Sequence, residues 1–101
     1  MLNIKMLKSG TTATMYLNGR IDASNAQDVQ NKLLEVAGRF ERVVLDLAEL
    51  KYISSAGLRA FKMLYVEMRK KGGSFSIQNT RPDVMEIFNV TGFRVLLEIG
   101  G

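Results

Sequence analysis

The chain is most constrained by an alternation between two apolar periods, one suited to strands and one to helices. In residues 11–17, Ala13, Met15 and Leu17 alternate with Thr12, Thr14 and Tyr16, the period of a half-buried strand. Residues 3–8 read as a preceding strand, and Ser9-Gly10 between them suits a tight antiparallel hairpin. Asn18-Gly19 is expected to close the pair and turn the chain toward Arg20-Ile21-Asp22. The period then changes. Ala26, Val29, Leu33 and Val36/Ala37 recur at steps of three and four, which predicts a helix from about Asn25 to Ala37. Ser24 followed by Gln27 fits a capping box, and Gly38 stands where the helix would stop.

Residues 42–47, Arg-Val-Val-Leu-Asp-Leu, read as a predominantly apolar run with two β-branched valines, which suits a central strand covered on its faces. A second helix is predicted from Ala56 to Lys71, with Leu58, Phe61, Leu64, Tyr65 and Met68 on its buried face and Gly72-Gly73 at its end. Ser74–Gln78 reads as the next strand, Pro82 opens a third helix running to about Val90, and Val95–Ile99 reads as a last strand. The expected order is ββαβαβαβ. Strands that alternate with helices pair in parallel through right-handed crossovers, while the opening hairpin is antiparallel. The expectation is therefore an α/β fold with a mixed sheet.

Composition narrows the chemistry. A chain of 101 residues has room for one domain, 1–101, that buries about two-thirds of its unfolded surface. The counts of Cys, His and Trp are all zero, which excludes disulfides, thiolate nucleophiles, Cys/His zinc sites and any Ser-His-acid triad. Neither a metal nor a cofactor is expected. The segment MLNIKMLKSG lacks the apolar core of a secretory signal, and no apolar run nears the ~18 residues of a membrane span. A cytoplasmic location without membrane insertion follows as the expectation. The net charge is +4, but the one basic cluster, Arg69-Lys70-Lys71, falls at a predicted helix end, where cations complement the dipole. No helix-turn-helix, RNP or finger pattern accompanies it, so nucleic acid is not an expected partner.

The stretch VVLDLAELKYISSAGLRAF, Val43 to Phe61, carries the candidate site. A buried strand ends at Leu47, a short connection follows, and Tyr52-Ile53 lead into Ser54-Ser55-Ala56-Gly57 at the start of the second helix. Either serine can cap that helix, and Gly57 allows a close approach to the backbone. A nucleophilic serine would need a base and a G-x-S-x-G elbow, and a phosphate cradle would need a Gly-rich loop with a lysine; neither is present. Phosphorylation remains open, since a phosphoserine adds about −1.5 to −2 charge where a helix start tolerates it.

These residues resemble the STAS domain, whose small single-domain members are bacterial anti-sigma factor antagonists. The resemblance is carried by the opening hairpin, Gly19-Arg20-Ile21-Asp22, Asp46-Leu47, Ser54-Ser55-Ala56-Gly57-Leu58, Ile87-Phe88 and Thr91-Gly92. It implies a partner switch: the unphosphorylated antagonist binds an anti-sigma factor that is also a serine kinase, and a phosphoserine phosphatase reverses the modification. By motif the phosphoacceptor falls on Ser55, with Ser54 as the second choice where the family often carries aspartate. The implied contact surface joins Asp22, Ala23 and Ser24 to Ile53, Ser54, Ser55, Ala56, Gly57, Leu58 and Arg59. The protein would then be a kinase substrate and binding module, not an enzyme. Similar proteins often continue into a terminal helix where this sequence ends, which is consistent with a shorter form or with an apolar face open to a homodimer.

Other candidates have plainer readings. Asp46, with Glu49 nearby, offers too few oxygens for a divalent cation, so loop ordering is expected of it. Asp22 either orders its loop or meets a partner. Met68 and Met85 are expected core filler, and Arg59 and Lys62 a solvated helix face. Two other function classes are compatible with the chain: an interaction module of a membrane lipid-transport complex, and a small nucleotide-binding enzyme.

Overall fold

The computed structural model describes residues 2–100. The hairpin forms as the alternation predicts and is longer than expected: β1 spans Leu2–Ser9 and β2 spans Thr12–Ile21, paired antiparallel from Leu2↔Gly19 to Ser9↔Thr12. Asn18-Gly19 is not a turn but lies inside β2. Gly19 takes φ +125° at a register shift, a backbone geometry that side chains disfavour, and its N–H donates to Glu49 O at 2.9 Å. This irregularity lets one long strand serve two successive partners.

Those partners are β3, Arg42–Asp46, alongside the first half of β2, and β4, Leu50–Ile53, alongside its second half, both parallel to it. β4 replaces the expected connection. β5, Ser74–Gln78, extends the sheet beyond β3 in parallel register, Arg42↔Ser74 to Asp46↔Gln78. The sheet is mixed, with the antiparallel hairpin at one side. One face carries Ala13, Met15, Leu17, Val43 and Leu45, all fully buried.

Helices α1, Ala26–Ala37, and α2, Ser55–Lys70, pack on each other and on the sheet. α1 buries Ala26, Val29, Leu33, Val36 and Ala37, and α2 buries Leu58, Phe61, Leu64 and Met68, the stripes read from the sequence. Tyr65 is the exception: it is half-buried, with its hydroxyl donating to Glu98 at 3.1 Å. α3, Pro82–Thr91, docks Val84 and Phe88 into the core, the Phe88 ring 6.4 Å from that of Phe61.

Residues 95–99 do not form a strand. Phe93–Leu96 is a single helical turn, α4, after which Leu97 and Ile99 enter the core at 2% and 8% exposure. An apolar run this short fits either period, and here burial is achieved without a sheet partner. The observed order is ββαββαβαα. The basic cluster is internally engaged. Arg69 pairs with Glu98 at 3.4 Å and Lys70 with Glu67 at 3.6 Å, while Lys71 Nζ donates to Ala37 O and Phe40 O across the helix pair, at 2.7 and 2.9 Å. Lys71 thus serves the end of α1 as well as its own helix. No helix among the described residues is long and apolar enough to cross a membrane.

Candidate functional site

Parallel pairing of Ile21 with Ile53 brings two loop starts together: Asp22-Ala23-Ser24 leaves β2 where Ser54-Ser55 leaves β4. A hydrogen bond from Ser54 N to Ile21 O, 2.8 Å, ties them. The implied contact surface needs both ends on one side of the sheet, and the pairing of β4 with β2 puts them there.

Ser54 is the N-cap of α2. Its backbone is extended, φ −87° and ψ 173°, and its Oγ accepts from Gly57 N at 3.3 Å. Ser55 is the first helical residue, and its side chain is exposed, with no hydrogen-bond partner among the described residues. The two hydroxyls are therefore separated by role: one is engaged in capping the helix, the other is free.

Gly57 is buried, and the close approach it permits is made by the chain's own strands. A Cβ there would lie 2.7 Å from Ile21 Cγ2 and 2.7 Å from Ile53 Cγ1. Ile53 and Leu58 are core residues, 1% and 3% exposed. Ile53, Gly57 and Leu58 therefore shape the surface from below and do not form it. The expected contact set reduces to Asp22, Ala23, Ser24, Ser54, Ser55, Ala56 and Arg59, of which Asp22, Ser54 and Ala56 are half-buried and the rest exposed.

The Asp22 loop is built by its own side chains. Asp22 Oδ1 accepts from Ser24 N at 2.9 Å and Ser24 Oγ at 2.6 Å, and Asp22 N donates to Asn25 Oδ1 at 2.9 Å. Asn25 Nδ2 closes the loop onto Arg20 O at 3.0 Å. The Ser24 hydroxyl and N–H hold the Asp22 carboxyl below its ordinary pKa. The Ser24–Gln27 capping box does not form, because Ser24 is turned to Asp22 and Gln27 donates to Asn31 at 3.0 Å. Asn25 takes the N-cap position.

Asp46, 6% exposed, stands at the end of β3 and orders the break before β4. Its carboxylate accepts from Ala48 N at 3.0 Å, Gln78 Nε2 at 3.0 Å and Asn79 Nδ2 at 2.8 Å. Burial pushes its pKa up, but these three donors outweigh burial and leave it lowered. The loop-ordering role holds.

Beside Ser55, a groove of about 180 Å³ runs between α1 and α2, lined by Ala23, Ala26, Gln27, Gln30, Ala56 and Arg59. Gln27 and Gln30 line this groove and lie outside the expected contact set. Their spacing of three on the polar side of α1 is the one local signal for them; facing α2 is a tertiary fact. A larger cavity, about 430 Å³, lies at the opposite ends of the same helices, against Leu34 and Lys71.

Comparison with known proteins agrees with this arrangement. The family model of the STAS domain matches residues 3–100. The putative anti-sigma factor antagonist BtrV of Bordetella bronchiseptica is 37% identical over 78 residues, covering 76% of this chain and 67% of that one. The anti-sigma-B factor antagonist of Bacillus subtilis is 24% identical over 98 residues, 97% of this chain and 90% of the relative. Among solved structures, the Bacillus anti-sigma factor antagonist SpoIIAA superposes in its unphosphorylated form with a TM-score of 0.77 at 16% identity, over 91% of this chain and 81% of that one. Its phosphorylated form gives 0.73 at 16% identity, over 91% and 84%. With a mixed sheet opened by a hairpin, a serine pair at the start of α2 and a family model spanning nearly every residue, the chain belongs to the STAS-domain family.

Proposed function

We propose that this chain is an anti-sigma factor antagonist that works by partner switching, with Ser55 as the switched residue. The observation that carries the reading is the division of labour at the start of α2: Ser54 caps the helix, while Ser55 is exposed and unengaged beside the ordered Asp22 loop. Relatives named as antagonists, and a structural neighbour solved both with and without phosphate, support it.

In this reading the unmodified surface formed by Asp22, Ala23, Ser24, Ser54, Ser55, Ala56 and Arg59 docks on an anti-sigma factor with serine kinase activity. The kinase transfers a phosphoryl group from a nucleoside triphosphate. Ser55 Oγ forms the new bond to phosphorus, the bond to the leaving diphosphate breaks, and the serine proton passes to a base on the kinase. The product carries about −1.5 to −2 charge in the middle of the contact, and repulsion and desolvation release the partner. A phosphoserine phosphatase restores the hydroxyl. This role requires the bacterial cytoplasm and no catalysis by the chain itself.

The test is a pull-down from cell extract followed by titration of the recovered partner. Ser55→Ala should bind constitutively and Ser55→Glu at least tenfold more weakly. Equal binding by the two variants overturns the switch, and recovery of a transporter subunit in place of a kinase overturns the choice of partner.

A further inference from the structure

We propose that Arg59 is an internal clamp for a phosphoryl group on Ser55, so that modification redirects a guanidinium and does more than add an anion to the surface. The inference rests on the reading of Ser55 as the modified residue.

The two residues lie four apart within α2, so their side chains are neighbours on one face, with Cβ atoms about 5–6 Å apart. The order, anion before cation along the helix, is the favourable one. Arg59 is exposed and has no carboxylate partner among the described residues. Five other cations are committed to carboxylates: Lys32 and Arg39 to Glu35, Lys70 to Glu67, Arg69 to Glu98 and Arg81 to Asp83. Arg20 is stacked on the Tyr52 ring, 4.6 Å from its centroid. The Asp22 carboxylate, which borders the same surface, turns its Oδ1 to the Ser24 N–H and O–H and makes no ion pair with Arg59. No carboxylate among the described residues pairs with the guanidinium, whose planar fork matches phosphate oxygens.

The groove gives the pairing room. Arg59 borders the groove with Ala23, Ala26 and Ala56, whose side chains are single methyl groups, and with Gln27 and Gln30 of α1, which leaves its guanidinium open space in which to reorient. In the unmodified protein the guanidinium stands at the groove as a free positive group. Once Ser55 is phosphorylated, the guanidinium is satisfied internally and the patch, neutral while Asp22 and Arg59 balance, turns net negative. A partner that had met Arg59 loses that contact in the same step.

The experiment places phosphoserine at position 55 of the full chain during translation and follows the phosphate by ³¹P NMR from pH 4 to 8. A neighbouring cation favours the dianion, so Arg59→Gln should raise the second phosphate pKa by roughly 0.3 unit or more, toward the ordinary value of about 6. Arg59→Lys should recover part of the shift, and 1 M salt should shrink it, since screening then acts over about 3 Å. The Arg59 Nε–H resonance should also move on phosphorylation. Identical titration midpoints for the phosphorylated parent and its phosphorylated Arg59→Gln variant, or an unmoved Nε–H resonance, overturn the clamp. Because the phosphoserine is installed without any kinase, this result is independent of whether Ser55 is the switch in cells.

Discussion

The tightest point of the site is the contact of α2 with the ends of β2 and β4, and Gly57→Ala tests it. The added methyl would sit 2.7 Å from both Ile21 Cγ2 and Ile53 Cγ1, and 3.2 Å from Ile53 Cδ1. Optimal carbon contacts are about 3.5–4.0 Å, so two of these are close to 1 Å too short. Relief by rotation is blocked, because both neighbours are β-branched and fully buried, at 0% and 1% exposure, and the offending atoms are attached directly to Cβ. The first turn of α2 must therefore move away from the strands. Overpacking of this kind costs about 1–3 kcal/mol, against which alanine returns at most about 1 kcal/mol of helix propensity. With the full offset, a net loss of up to about 2 kcal/mol is expected. At roughly 4–8 °C per kcal/mol for a domain of this size, thermal melts followed by circular dichroism would resolve it, with urea unfolding as the equilibrium check. A Gly57→Ala melting temperature equal to or above that of the parent would refute the claim that this approach is sterically closed.

Stability should also separate the two serines. Ser54→Ala loses the cap to Gly57 N, which at 3.3 Å is a long bond, so a loss near the lower end of the 0.5–2 kcal/mol range, about 0.5–1 kcal/mol, is expected in urea melts. Ser55→Ala should stay within about 0.5 kcal/mol of the parent, because its side chain is exposed and unbonded; the reverse ranking would show the roles to be exchanged. Asp46→Ala removes the acceptor of three hydrogen bonds, from Ala48 N, Gln78 and Asn79, and should cost about 1–3 kcal/mol, read as a lower urea midpoint; an unchanged midpoint would contradict its loop-ordering role. Both Asp22 and Asp46 have lowered folded-state pKa values. The stability they contribute is therefore complete above the unfolded value of about 4 and declines as pH falls through the lower folded values. Asp46→Asn should shed part of that decline below about pH 4, and stability curves that run parallel to the parent's would contradict the assignment.

Much of the site can be read from short-range pattern. The serine pair, Gly57 and the apolar stripe of α2 lie within one segment, and helix starts have their own residue chemistry. The capping box expected at Ser24 fails for a local reason: Asp22, two residues earlier, captures the Ser24 hydroxyl at 2.6 Å before the helix can use it. Which serine is free is not legible in the sequence, since it depends on Ile21 O receiving Ser54 N from another strand. Neither is the fate of Ile53 and Leu58 as surface or core, because an apolar residue beside a functional turn can face either way.

By itself the sequence determined the character of each helix and of the opening hairpin, because the periods of Ala13–Leu17, Ala26–Ala37 and Leu58–Met68 repeat over adjacent turns or pleats and need no distant partner. The tertiary structure alone decided that Leu50–Ile53 is a strand, that Val95–Ile99 is not, and that Asp22 and Ser55 share one surface. Leu50–Ile53 gains strand geometry only by pairing with β2, far earlier in the chain, across the shift at Gly19. Periodicity is a property of neighbours in the chain, whereas strand partnership and exposure are set by which distant backbone hydrogen bonds and core contacts are satisfied together.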